Sequence, residues 1–327
     1  MAKILKTKSI YYNDVNLLAS IGKVESRKDI PNEKSRIFVS PMPAVVGKTF
    51  ANKASELGLS VCLHRFCDPY EQAAIYNSIL NKENVFMSCG LKNDTETYKV
   101  IADTNCKNIV VDFANGYLPN IANELDNITN YLNIRKLIIG NVHTAEGVEY
   151  LENIVKQFQE IEELYIRVGI AGGGPCATSD VTGINRGNIT EIIECSNAAK
   201  YAKIIADGGI HKAGSACKAF AAGAHGIFMG KYWMQSFEAE SNLSGDGSYW
   251  GCASHKNQEN WKGAKFRHSE GKVVKEDFQI KNLEEVVGEL WGGITSYVSY
   301  AGYTNLSDAI GNGVFELKQN SLPPKVR

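Results

Sequence analysis

KLIIGNVHTAEGVEYLENIVKQFQEIEELYIRVGI, residues 136–170, decides the fold. It opens and closes on β-branched apolar runs, KLIIGNV (136–142) and LYIRVGI (164–170), and the segment between them has helical spacing. The unit reads strand, helix, strand. Neither run alternates apolar with polar residues, and a strand apolar on both faces belongs to a parallel sheet covered by helices. Six more such runs lie to either side: IFVS (37–40), LSVCLH (59–64), NVFMSCG (84–90), NIVVDFA (108–114), AKIIADGG (202–209) and GIFMG (226–230). Asp68-Pro69 before EQAAIYNSIL gives one intervening helix a cap and a proline at its first position. Eight units predict closure into a (β/α)8 TIM barrel. An open doubly wound sheet is the alternative, but no G-x-G-x-x-G follows IFVS, where that fold carries its fingerprint.

Two places break the rhythm. AGGGPCATSDVTGINRG (171–187) follows the sixth strand run, and after Gly230 a polar excursion, its flap at about 241–282, precedes the final helix NLEEVVGELWGGITSYVSYAGY (282–303). Long connections inside a barrel are usually functional. The chain, 1–327, reads as one barrel domain without solenoid repeats or low-complexity tracts.

With 327 residues, 44% of them hydrophobic, the chain can bury a full core. Lys+Arg 35 against Asp+Glu 36, with no like-charged block, gives no footprint for nucleic acid or an anionic membrane. A small molecule is the expected partner. The eight cysteines are spread along the chain, which suits reduced thiols in the cytoplasm better than a disulfide framework. No apolar run approaches the roughly 20 residues of a spanning helix, and the N-terminus lacks an apolar signal core.

In such barrels chemistry sits at the C-terminal strand ends. The last two ends carry Gly208, Gly209, Gly230 and Lys231, a candidate phosphate cradle in which backbone N–H groups and one point charge face an anion. Tight turns are the plainer reading of the same glycines. Cys176 follows three glycines and a proline on an exposed loop, a setting for a reactive thiol that the other cysteines do not share; an inert cysteine is the alternative. Cys62, His64 and Cys67 lack a second ligand pair at zinc spacing and read as a buried strand, so no metal site is assigned. The loop histidines 143, 211, 225, 255 and 268 read as ordinary turn residues, and Tyr297, Tyr300 and Tyr303 as a packing or subunit surface.

Several ordered stretches then converge: VDFANGY (111–117), GNVHTAEG (140–147), VGIAGGGPCATSDVTG (168–183), IIECSNAA (192–199), ADGGIHKAGSACKAFAAGA (206–224), KFRHSEGKVV (265–274) and GGITSYVSYAGYTNL (292–306). Across nearly its whole length the chain resembles the GMP reductase family, and more distantly the catalytic barrel of IMP dehydrogenase. The resemblance implies NADPH-dependent reductive deamination of GMP to IMP and ammonia through a cysteine thioimidate. It places Cys176 at the nucleophile, Thr178 at the proton-relaying hydroxyl and Glu284, or its neighbour Glu285, at the catalytic carboxylate. It puts Asp207 on the ribose, Gly174, Gly209 and Gly230 on the phosphate, Ser254 in the base loop, and Asp112 and Gly169 on the cofactor side. It implies a homotetramer and admits a potassium ion at the Cys176 loop.

There is no inserted pair of CBS regulatory modules, and KFRHSEGKVV resembles the reductase flap rather than the Arg-Tyr flap of the dehydrogenase. The chain departs from the family at Cys176-Ala177-Thr178-Ser179, usually Cys-Thr-Thr-Arg, and at Gly251-Cys252-Ala253-Ser254, usually Gly-Met-Ser-Ser. It also departs at Lys231, usually glycine, at Met42-Pro43-Ala44 and at Arg65, usually lysine. Base identity is what these changes put in doubt. An IMP dehydrogenase, a reductase of a modified purine nucleotide, and a catalytically silent purine-nucleotide sensor are the alternatives.

Overall fold

A computed structural model describes residues 8–172, 176–251, 254–257 and 271–318. All eight apolar runs contain strands: β1 (Ile37–Val39), β2 (Ser60–Cys62), β3 (Val85–Cys89), β4 (Asn108–Asp112), β5 (Lys136–Val142), β6 (Glu163–Val168), β7 (Lys203–Asp207) and β8 (Gly226–Met229). Each pairs in parallel with its neighbours, and β8 returns to β1 through Ile37↔Ile227 and Val39↔Met229, closing the barrel. The helices between them are α1 (Lys48–Glu56), α2 (Pro69–Ser78), α3 (Thr95–Asp103), α4 (Ile121–Thr129), α5 (Ala145–Val155), α6 (Asn188–Ala198) and α7 (Ala213–Ala221), with α8 (Leu283–Tyr300) last. Asp68 caps α2 by accepting from the Tyr70 N–H at 2.8 Å, with Pro69 at the first position. Among the described residues no helix is long and apolar enough to cross a membrane.

One residue from each strand fills the barrel: Phe38, Cys62, Phe86, Val110, Ile138, Ile205 and Phe228, with Tyr165 packed against them. The three phenylalanines are almost wholly buried, and each such ring contributes about 1.5–3 kcal/mol through its removal from water. Cys62 therefore belongs to the barrel interior, while Cys67 donates from its thiol to the His64 carbonyl at 3.5 Å. The buried-strand reading holds for Cys62, whereas Cys67 lies half-buried in the bend beyond β2. The larger apolar cluster, including Phe50, Phe220 and Trp233, packs between barrel and helices.

The excursion after β8 holds a 3-10 turn (Lys231–Gln235), a short helix (Glu240–Leu243) and a two-stranded ribbon in which Ser248–Trp250 runs antiparallel to Val273–Lys275. A second ribbon pairs Val15–Leu17 with Phe315–Leu317 near the chain ends. Three-residue strands are too short to show a period in the sequence, so neither ribbon was legible there.

Candidate active site

Strand side chains alternate between faces, so the residue two beyond each plug position points back into the barrel. Those positions are Ser40, His64, Ser88, Asp112, Arg167 and Asp207, with Gly140 and Gly230 completing the ring. The layer above the apolar plug carries a polar side chain in six of the eight strands. Arg167 lies at its centre, 8% exposed, with its guanidinium carbon 4.7 Å from the Phe228 ring centroid. Nη1 donates to Asp112 Oδ1 at 2.8 Å; Nη2 and Nε donate to Asp207 Oδ2 at 2.8 and 3.2 Å. Arg65 Nε donates to the other oxygen of Asp112 at 3.2 Å. The strand register shifts between Gly140 and Val142, turning Asn141 inward, and its Nδ2 donates to Asp207 Oδ2 at 2.8 Å and the Gly169 carbonyl at 2.7 Å. Two arginines thus balance two aspartates in a buried setting, where an unpaired charge would be strongly destabilising. Burial works to raise the Asp112 carboxyl, yet Arg167 and Arg65 outweigh it and hold it below its ordinary value. Burial opposes the charge on Arg167, but Asp207 and Asp112 push its pKa above the usual value.

A cavity of about 770 Å³ opens above this layer. Its wall includes Cys176, Thr178, Asp112, Asp207, Gly169, the Gly208–Gly209 turn, Gly230 and Lys231, so strand ends far apart in sequence supply it together. Gly208 and Gly209 take φ of +90° and +74°, which favours glycine. At Gly169 a Cβ would stand 1.9 Å from the Asp207 carbonyl oxygen, so the absence of a side chain lets the ends of β6 and β7 meet. Cys176 donates from Sγ to Thr178 Oγ1 at 3.2 Å, and its backbone forms an antiparallel bridge with Gly271, which also bridges Ser254. Among the described cysteines only Cys176 reaches the cavity. Burial pushes the thiols of Cys62 and Cys106 up, and those of Cys67, Cys89 and Cys217 up to about 12. These remain protonated and inert.

Not every expected residue joins the wall. Ser254 is 1% exposed and sits behind it, its Oγ accepting from the N–H of Asn257, which does line the cavity. Gly174 lies outside the described residues, as do Cys252, Ala253 and most of KFRHSEGKVV. The Glu284 side chain is 72% exposed, stands 3.8 Å from Lys53 Nζ and is not among the residues lining the cavity. Asn282 caps α8 and Leu283, Val286 and Val287 face the core, so helical spacing turns Glu284 and Glu285 outward. Lys231 is bonded to Glu276, just beyond the Val273–Lys275 strand.

Several wall residues escaped the sequence reading. His143 and His211 line the cavity, and burial first, then a nearby cation (Arg186 and Lys231 respectively), lowers their pKa values. Arg167 carried a signal that was available: an arginine inside an apolar strand must find buried partners. A second hollow of about 400 Å³ adjoins the cavity and shares Arg65, Asp112 and Phe113 with it; Lys92 and Asn93 also line it. The described residues hold no group of three His, Cys, Asp or Glu side chains suited to a metal ion.

Comparison with known proteins gives the same picture. A family model described as IMP dehydrogenase / GMP reductase domain matches residues 27–321. A GMP reductase of Buchnera aphidicola is 29% identical over 287 residues, 83% of this chain and 80% of its own length. A GMP reductase of Oceanobacillus iheyensis is 28% identical over 331 residues, 95% and 96% of the two chains. An inosine-5′-monophosphate dehydrogenase of Cryptosporidium parvum is 32% identical over 232 residues, 66% of this chain and 56% of its own. With a closed barrel, a cysteine in the wall of its cavity and a family match spanning almost the whole chain, the protein belongs to the IMP dehydrogenase/GMP reductase family of oxidoreductases.

Proposed function

We propose that the chain is an NADPH-dependent reductase of a purine mononucleotide, converting GMP to IMP and ammonia, and that it works as one barrel in the cytoplasm, assembled as a homotetramer. The observation that carries the reading is the meeting of Cys176 and Thr178, 3.2 Å apart, in the cavity whose floor holds Asp207. Asp207 spends Oδ2 on Arg167 and Asn141, and among the described residues Oδ1 takes no hydrogen bond, which suits an acceptor for ribose hydroxyls. The Gly208–Gly209 turn, Gly230 and Lys231 suit the phosphate.

The Cys176 sulfur attacks the purine carbon bearing the exocyclic amine. The carbon–nitrogen bond breaks, and the amine leaves as ammonia with a proton relayed through Thr178. The thioimidate so formed returns the thiolate when hydride replaces sulfur on the ring. The nicotinamide cofactor supplies that hydride when bound. The residues present fit such a group: the adjoining hollow is flanked by Arg65 and Lys92, cations suited to its phosphates, and meets the cavity at Asp112. Arg65 and Arg167 keep Asp112 ionised and fixed where the two spaces join. The family likeness alone assigns Glu284 as the carboxylate behind Thr178, since α8 turns its side chain outward beside Lys53. A potassium ion at the Cys176 loop remains part of the proposal through the family likeness alone.

The test incubates purified protein with GMP and NADPH while absorbance loss and ammonia release are followed together. Equal rates of the two support the reading; ammonia without cofactor oxidation, or neither, overturns it. A dehydrogenase reading is favoured by the 32% identical relative of that name, and IMP with oxidised cofactor tests it in the same assay.

A further inference from the structure

Lys231 opens the 3-10 turn that follows β8 and lines the cavity beside Gly208, Gly209, His211 and Gly230. Its ammonium is already engaged: Nζ bonds Glu276, which directly follows the ribbon strand Val273–Lys275. The other end of that strand is tied as well, because Lys272 Nζ bonds Asp180 at 2.8 Å in the helical turn Thr178–Thr182 next to Cys176. Before any ligand arrives, the positive charge at the glycine turns is therefore cancelled by a carboxylate.

An anion entering these turns meets two opposite effects. Lys231 attracts it and Glu276 repels it. The Lys231 side chain is 23% exposed and that of Glu276 43%, and an ion pair so accessible to water is weakly held. Lysine carries a compact charge on a flexible stem, so it can change partners without the main chain moving. A phosphate dianion offers more charge and more acceptor oxygens than the carboxylate.

We infer that Lys231 selects a phosphomonoester over the bare nucleoside by exchanging Glu276 for the ligand's phosphate, so that Glu276 competes with the substrate for one ammonium. The inference rests on the mononucleotide reading above and adds to it a specificity residue and its built-in competitor.

Calorimetric titration with GMP, inorganic phosphate and guanosine tests it on wild type, Glu276→Gln, Lys231→Met and the double variant, with thermal melts to show that each is folded. Removing the competitor tightens GMP and inorganic phosphate by about three- to tenfold and leaves guanosine unchanged. Lys231→Met weakens GMP by about tenfold or more, spares guanosine, and makes Glu276→Gln silent in the double variant. Lys231→Arg restores most of the GMP affinity. Unchanged GMP affinity in Glu276→Gln, or equal weakening of GMP and guanosine in Lys231→Met, overturns the inference while leaving the nucleotide reading intact. Wild type that binds neither GMP nor inorganic phosphate overturns both.

Discussion

Arg167 Nη2 donates to Asp207 Oδ2 at 2.8 Å at the mouth of the barrel, and the same guanidinium holds Asp112 with Nη1. One buried cation thereby fixes the aspartate assigned to the ribose and the one assigned to the cofactor side. Arg167→Met is expected to cost about 3–5 kcal/mol of stability, because two carboxylates lose their partner while still buried. Arg167→Lys, which keeps the charge but not the fork, loses less. Chemical denaturation of the three proteins checks this; a methionine variant as stable as wild type contradicts the network.

Asp207→Asn tests the ribose contact without leaving Arg167 facing an empty space. The expected loss of nucleotide affinity is about 1.5–3 kcal/mol, the scale of hydrogen bonds to a charged group. A 2′,3′-dideoxy analogue should lose much less on the same substitution. Equal losses for the two ligands show that Asp207 acts only through Arg167.

His64 is buried in the ring above the plug, with its Nδ1 unpaired among the described residues. Burial lowers its pKa from 6.5 to about 4, against a smaller opposing pull from the Val46 backbone. The folded state disfavours the proton, so this site's contribution to stability is complete above pH 6.5. It shrinks as pH falls towards 4, by about 3 kcal/mol in full. His64→Gln should flatten the acid limb of a stability–pH curve in that window. An unchanged limb means that His64 takes up its proton without cost.

The barrel was legible because each strand is apolar on both faces and eight of them recur with helices between. The cavity wall was legible wherever a glycine turn or the Cys176 loop followed a strand. The Arg167 network was not, since its partners Asp112, Asn141 and Asp207 come from three different strands that only barrel closure brings together. Glu284 shows the opposite limit. Its match to a motif points to the start of α8, but the cap at Asn282 and the buried Leu283 and Val286 decide which way it faces.

For Thr178 and Glu284 the prediction is non-additivity. If Glu284 serves Thr178 during loss of the amine, Thr178→Val and Glu284→Gln each slow ammonia release, and the double variant is little worse than either. Hydride exchange with a preformed oxidised ring suffers less in both. Additive losses, or a silent Glu284→Gln, leave Thr178 working without that carboxylate.

Covalent attack by Cys176 is the centre of the account, and intact-protein mass spectrometry after brief incubation with GMP reads it directly. The wild-type protein should gain the mass of the nucleotide less ammonia, and Cys176→Ala, whose small side chain the loop accommodates, should bind GMP yet gain nothing. The same adduct on Cys176→Ala would contradict the account.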